Sequence, residues 1–324
     1  MYQVIAPKDI KDCETSTSVV WNTDGKTVPV IEGYMPYLGF KTYFRIAGKG
    51  NEAKAPLLVL HGGPGGSHNT LEVLDVLSLI EDRQIIYYDQ LGCGKSYVEG
   101  HTELWNIKTW IDELEALRQF LGLDKIHLLG QSFGGFLELA YCIEKKSRGV
   151  LSMVVSSGLS NPKLWAEEQR KWISKMDKDS QNAIAEAEAS KNFNLESYIE
   201  ADKKFMLLHS CDDFSNVVDA PECFKRGKAK GRENVYKTTW GKDEYNIDGT
   251  VSCIDLSDKL QEIDTNVLIV NGSQDLCSET IAKDMHKRIP NSKWVMFDGV
   301  RHRCYYEAYD EYIPLVDDWM STHE

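Results

Sequence analysis

Six short apolar runs recur along the chain, at residues 56–60, 84–88, 126–129, 151–155, 267–270 and 294–297. Each is four or five residues long and almost uninterrupted by polar side chains, which predicts strands buried on both faces of a parallel sheet. Upstream, residues 34–48 alternate imperfectly between apolar and polar positions around Gly39, the pattern of an antiparallel hairpin. Between the runs the period becomes helical: at 71–80, at 109–121, where Trp110, Leu114, Leu117 and Phe120 share a face, and at 280–288. Strands alternating with helices predict one mostly parallel, doubly wound α/β sheet whose ligands sit at the carboxyl ends of its strands.

From about Asn161 to Gly249 this rhythm breaks. Charge-rich helical segments at 165–175, 180–190 and 195–208 replace the apolar runs, and a basic turn follows at 225–232. Strand signals resume at Val267, so the expected organisation is a sheet core of residues 1–157 and 251–324 with a helical cap, 158–250, inserted over the site. An independent partner-binding domain fits less well, because the chain returns to complete the sheet.

Composition narrows the function. The 324 residues are 42% hydrophobic and 27% charged, and 50 acidic against 37 basic residues leave a formal charge of −13. That balance argues against nucleic acid and against anionic membrane surfaces as partners. No apolar run approaches the ~18 residues of a membrane span, and the first ten residues lack a basic segment followed by an apolar stretch. A cytoplasmic protein is expected. Eight scattered cysteines contain no Cys-x-x-Cys pair, which predicts free thiols and neither a disulfide framework nor a metal site.

The chemistry gathers behind the third apolar run, where Gly130-Gln131-Ser132-Phe133-Gly134 leads into a helical stretch. A strand, a glycine-built turn and a helix would lift the Ser132 hydroxyl clear of the sheet as a nucleophile, although a strand-to-helix turn with a capping serine has the same outline. A serine needs a base and a carboxylate to orient that base. Asp275 follows the run at 267–270 and His302 follows the run at 294–297, so both belong at strand ends. The order Ser132, Asp275, His302 is that of an α/β-hydrolase triad. Asp298 competes for the acid role because it lies nearer the histidine in sequence. His61 and His127 are read as structural, and His68, His101, His286 and His323 as solvated. The turn His61-Gly62-Gly63-Pro64-Gly65-Gly66 offers accessible backbone amides, and the Gly63 and Phe133 N–H groups are the expected oxyanion donors. Gly92-Cys93-Gly94-Lys95-Ser96 ends like a phosphate-binding loop, but Asp89 stands where its first glycine belongs, and no dinucleotide fingerprint is present. No cofactor is expected.

Taken together, His61-Gly62-Gly63-Pro64-Gly65, the stretch Asp89 to Ser96 and Gly130-Gln131-Ser132-Phe133-Gly134-Gly135 resemble the proline iminopeptidase family of α/β-hydrolases. Glu32-Gly33-Tyr34 and Trp240-Gly241-Lys242-Asp243-Glu244-Tyr245 extend the likeness over nearly the whole chain. The resemblance implies a metal-free serine hydrolase that removes an N-terminal residue, often proline, from short peptides, or hydrolyses amino-acid amides. It implies that Ser132 attacks the carbonyl, His302 relays the proton, Asp275 orients the imidazole and Glu244 holds the substrate ammonium, with Gly62 and Trp240 as further substrate contacts. Trp165, Phe205, Tyr236 and Trp240 could line a pocket or pack in a core. One position departs from the family: Leu276 stands where relatives carry a second glutamate after the aspartate. An ester, lactone or amide without a free amine is therefore a second substrate class, and a non-catalytic binding protein a remote third reading. Dehalogenase or epoxide-hydrolase chemistry would call for an aspartate in place of Ser132.

Overall fold

The computed structural model describes residues 1–212 and 219–324. Among these, nine strands form one sheet: β1 (Glu14–Val19), β2 (Thr27–Tyr37), β3 (Phe40–Ala47), β4 (Leu57–Leu60), β5 (Ile85–Tyr88), β6 (Ile126–Gln131), β7 (Val150–Ser156), β8 (Asn266–Gly272) and β9 (Ser292–Phe297). Their spatial order is β1-β2-β3-β5-β4-β6-β7-β8-β9. The first three strands pair antiparallel, and β3 joins β5 antiparallel. From β5 to β9 every pairing is parallel.

The helices are α1 (Leu77–Glu81), α2 (Ile107–Phe120), α3 (Phe133–Lys145), α4 (Pro162–Ile173), α5 (Lys178–Ser190), α6 (Glu196–His209), α7 (Glu222–Lys225), α8 (Arg232–Thr239), α9 (Glu279–Arg288), α10 (Cys304–Glu307) and α11 (Tyr309–Thr322). Both sheet faces are covered because alternate strand side chains point opposite ways. Leu58 and Leu60 of β4 enter a core with α2, α3 and α9, whereas Leu57 and Val59 enter a second core with α1 and α11. Side-chain caps fix several helix starts: Asn106 accepts from the Thr109 N–H at α2, Asn161 from the Leu164 N–H at α4, Asp177 from the Ser180 N–H at α5 and Ser278 from the Ile281 N–H at α9. Helices α4 to α8 stand between β7 and β8 and add no strand to the sheet. The span 158–250 includes residues 213–218, which lie outside the described residues.

Several elements differ from the sequence expectation. The hairpin begins at Thr27, not Tyr34, and turns at Leu38-Gly39, both with positive φ (48° and 81°). Strand β1 carries no apolar alternation because it is a Thr- and Ser-rich edge, mostly exposed. β9 is the opposite edge and is only half-buried, so its apolar run does not mean burial on two faces. The helix read at 71–80 is a 3-10 turn over Asn69–Val76 followed by the short α1. Three residues per turn stack Glu72 over Asp75. Both then face Arg45, at 4.0 and 2.6 Å. Helix α11, with Pro314 inside it, was not anticipated. No helix among the described residues is long and apolar enough to cross a membrane.

Candidate active site

Ser132 sits between β6 and α3 with φ 57° and ψ −120°, a backbone that costs a non-glycine residue ~1–3 kcal/mol. The turn is tight enough to exclude side chains beside it. A Cβ on Gly130 would stand 2.3 Å from the Gly134 carbonyl oxygen, and one on Gly134 2.2 Å from that of Leu60. Gly62 is excluded from carrying a side chain by the serine itself: its Cβ would lie 2.5 Å from Gln131 Oε1 and 2.8 Å from Ser132 Cβ. The Ser132 N–H is held by the Ser156 carbonyl at 2.9 Å, which ties the turn to the end of β7. Ser132 is 9% exposed and opens into a cavity of about 390 Å³ whose wall also includes Gly62, Gly63, Glu244, Leu276 and His302.

His302 and Asp275 meet on that wall, with His302 Nδ1 2.6 Å from Asp275 Oδ1. A carboxylate accepts, so Nδ1 carries the proton and Nε2 is left as the basic nitrogen. Asp275 is fully buried and accepts three further bonds, from the Ser157 hydroxyl (2.6 Å), the Cys277 N–H (2.8 Å) and the Gly272 N–H (3.2 Å). Asp298 instead accepts from Ser273 Oγ at 3.1 Å, away from the imidazole. The His302 backbone is also fixed: its N–H donates to the His209 carbonyl (3.2 Å), and Gln131 Nε2 reaches its carbonyl at 3.4 Å. Ser157 and His209 escaped the sequence reading. Ser157, directly after β7, has the same strand-end position as the other site residues and was the detectable one. His209 lies at the end of α6, where only the tertiary fold brings it to Gln274 (Nδ1 to carbonyl, 2.9 Å).

The glycine turn at 61–66 lies on the same cavity. Among the described residues neither the Gly63 nor the Phe133 N–H donates to a protein acceptor, so both are available to a ligand oxygen. The Phe133 side chain packs in the core against Trp110 and Phe136.

Glu244 is half-buried, with Tyr236 donating to Oε1 at 2.8 Å and Trp165 Nε1 donating to Oε2 at 3.1 Å. Burial pushes its carboxyl pKa up, against the pull of these donors. Trp240 is corrected by the structure: it does not line the cavity but stands behind it, edge-on to Trp165 at 6.1 Å. Trp165 in turn lies edge-on to His302 at 5.8 Å, while Phe205 packs on His209 and Tyr245. None of these aromatics, nor Tyr236, lines the cavity among the described residues.

His68 is not solvated. It is 2% exposed, with Nδ1 2.7 Å from Asp89 and Nε2 3.3 Å from Glu72. Two carboxylates on two ring nitrogens require an imidazolium, and its pKa is raised to about 9 although burial opposes the charge. Glu72, held down to about 2, also receives Arg226 from beyond α7, so this network joins the inserted helices to the core beside the glycine turn. Asp89 further accepts from the Lys95 N–H, which makes the loop resembling a phosphate cradle a structural turn. All eight cysteines are free. Among the described residues no group of three or more His, Cys, Asp or Glu side chains is arranged to hold a metal ion.

A nucleophile-type turn, a histidine–carboxylate pair at later strand ends and a parallel sheet define a hydrolase of the α/β class, and residues 55–309 match the alpha/beta hydrolase fold family. Proline iminopeptidases from Clostridioides difficile and Lactobacillus helveticus are 45% and 43% identical to the chain, each over 91% of it and 99% of the relative. The crystal structure of a proline iminopeptidase from Mycobacterium smegmatis superposes with a TM-score of 0.80 at 25% identity, covering 90% of this chain and 98% of that one. The chain belongs to the proline iminopeptidase family, and it is a hydrolase.

Proposed function

We propose that the enzyme releases N-terminal proline from short peptides through an acyl-enzyme on Ser132. The observation that carries this reading is a cavity with Ser132 and His302 on its wall and one partly buried carboxylate, Glu244, at the same wall. The substrate's ammonium pairs with Glu244, a charge-assisted contact that favours the ionised carboxylate against the effect of burial. Ser132 Oγ attacks the peptide carbonyl carbon while its proton passes to His302 Nε2, and the Gly63 and Phe133 N–H groups bind the oxyanion. His302 then returns the proton to the leaving nitrogen, the C–N bond breaks and the shortened peptide departs. Water adds to the acyl ester by the same route, giving free proline and regenerating the hydroxyl. Asp275, held by three donors besides the imidazole, keeps the tautomer and faces the positive charge. In this reading residues 1–157 and 251–324 form the catalytic core, 158–250 the cap, and eight free thiols suit a reducing cytoplasm.

Leu276 on the cavity wall supports a second reading, an amide or ester substrate without a free amine. A panel of prolyl, other aminoacyl, N-acetylated prolyl and simple ester substrates at equal concentration separates the two. The expected result is release from the prolyl substrate that vanishes in Ser132→Ala and on N-acetylation. Equal rates with the acetylated substrate would refute the aminopeptidase reading in favour of the second.

A further inference from the structure

The protein carries a formal charge of −13, yet four cations, Lys225, Lys228, Arg232 and Arg303, line the active cavity. Of the acids on the same wall, Asp212 pairs with Arg301 through two bonds of 2.9 and 3.0 Å, and Glu244 accepts from the neutral donors Tyr236 and Trp165. Among the described residues neither Arg232 nor Lys228 has a carboxylate within 4.0 Å. The backbone that carries Arg232 is seated firmly on the core. Gly94 N–H donates to the Lys230 carbonyl at 2.9 Å, and a Cβ on Gly65 would stand 2.8 Å from the Arg232 carbonyl. The guanidinium lies over the Tyr236 ring, 5.9 Å from its centre, and the Tyr236 hydroxyl bonds Glu244. One tyrosine therefore links a cation and an anion on the same wall, and a peptide of two or three residues, at roughly 3.3–3.6 Å per extended residue, is of the scale to bridge them.

We propose that Arg232, assisted by Lys228, binds a carboxylate on the segment that leaves, so that the preferred substrates are di- and tripeptides with a free C-terminus. This rests on the aminopeptidase reading, with the substrate's ammonium at Glu244. A guanidinium matches a carboxylate through two parallel N–H donors, and a short zwitterionic peptide presents an ammonium and a carboxylate together.

The test is proline release from Pro-Gly and Pro-Gly-Gly, their C-terminal amides, Pro-Asp-NH2 and a prolyl arylamide. Wild type, Arg232→Gln, Arg232→Lys and Lys228→Met are compared by the ratio of acid to amide within each variant, which cancels any general loss of activity. The expected result is a preference of about tenfold or more for the free acids, expressed in KM, lost in Arg232→Gln and partly kept in Arg232→Lys. Arg232-dependent preference for Pro-Asp-NH2 over Pro-Gly-NH2 supports carboxylate binding with the side chain as its source. Acid and amide cleaved equally by the wild type, or a ratio untouched in both Arg232→Gln and Lys228→Met, overturns the inference. No proline from any member, arylamide included, overturns the aminopeptidase reading and this inference with it.

Discussion

Replacing Asp275 by asparagine removes a charge while leaving the shape of the site almost unchanged, and the surrounding donors determine how the amide will sit. Oδ1 accepts from His302 Nδ1 and the Cys277 N–H, neither of which can accept in return. Oδ2 accepts from the Gly272 N–H and from the Ser157 hydroxyl, and a hydroxyl can rotate to accept. The new NH2 therefore takes the Oδ2 position, Ser157 reverses its bond, and the imidazole keeps both tautomer and orientation. What disappears is the negative charge beside the imidazolium formed in the transition state. At a charge separation of about 4 Å and an effective dielectric constant of about 20, that attraction is worth about 4 kcal/mol, or roughly a thousandfold in rate. The loss should fall on kcat with KM for a prolyl arylamide little changed, because Glu244 is untouched. One bond lost at Gly272 lowers stability by about 1–3 kcal/mol, so thermal unfolding should still be cooperative. Asp298→Asn is the matched control and should stay within a few-fold of wild type, since Asp298 bonds Ser273 on the surface. A larger loss in Asp298→Asn than in Asp275→Asn, or less than a tenfold loss in the latter, would refute the assignment.

Glu244→Gln should lower kcat/KM for a prolyl arylamide about 10- to 100-fold, mainly through KM, as the ammonium loses its counter-charge; an unchanged KM would remove Glu244 from amine binding. Gly62→Ala forces a methyl to within 2.5 Å of Gln131 Oε1 and 2.8 Å of Ser132 Cβ. Overpacking of this kind costs about 1–3 kcal/mol, and displacement of Ser132 should slow its labelling by a fluorophosphonate, a change that wild-type labelling rates would disprove. His68, with a folded pKa of about 9 above its usual ~6.5, contributes stability that is complete below pH ~6.5 and lost as pH rises through about 9. Urea unfolding of wild type and His68→Gln should show the gap between them narrowing by on the order of 3 kcal/mol from pH 6 to 10, and a constant gap would count against a charged His68.

Much of the fold was legible because its strands are short apolar runs separated by helical periods, a signal that local side-chain sequence carries directly. The misses share one cause. β1 is an exposed edge, β9 is a half-exposed one, and the 3-10 turn at Asn69–Val76 follows a buried ion network that spans distant residues. In the site, Ser132, Asp275 and His302 stood out as candidates because each follows a strand signal. Asp298 lies nearer His302 in sequence, but its place after a later strand left Asp275 the better acid, and the fold does turn Asp275 onto His302. Histidine environments were the least readable: His68 has polar neighbours in sequence, yet its carboxylate partners arrive from Glu72 and Asp89.

The α/β alternation, the glycines that a crowded serine turn requires, and the strand-end positions of the serine, aspartate and histidine are all legible in the sequence, since each is signalled by residues close together in the chain. Tertiary packing sets which carboxylate touches the imidazole, that Trp240 buttresses Trp165 instead of lining the cavity, and that Arg232 and Lys228 face the cavity with no acidic partner among the described residues. Those properties arise from residues as far apart as Ser132 and His302, and Coulomb and packing forces act on distance in space, which the order of residues along the chain does not record.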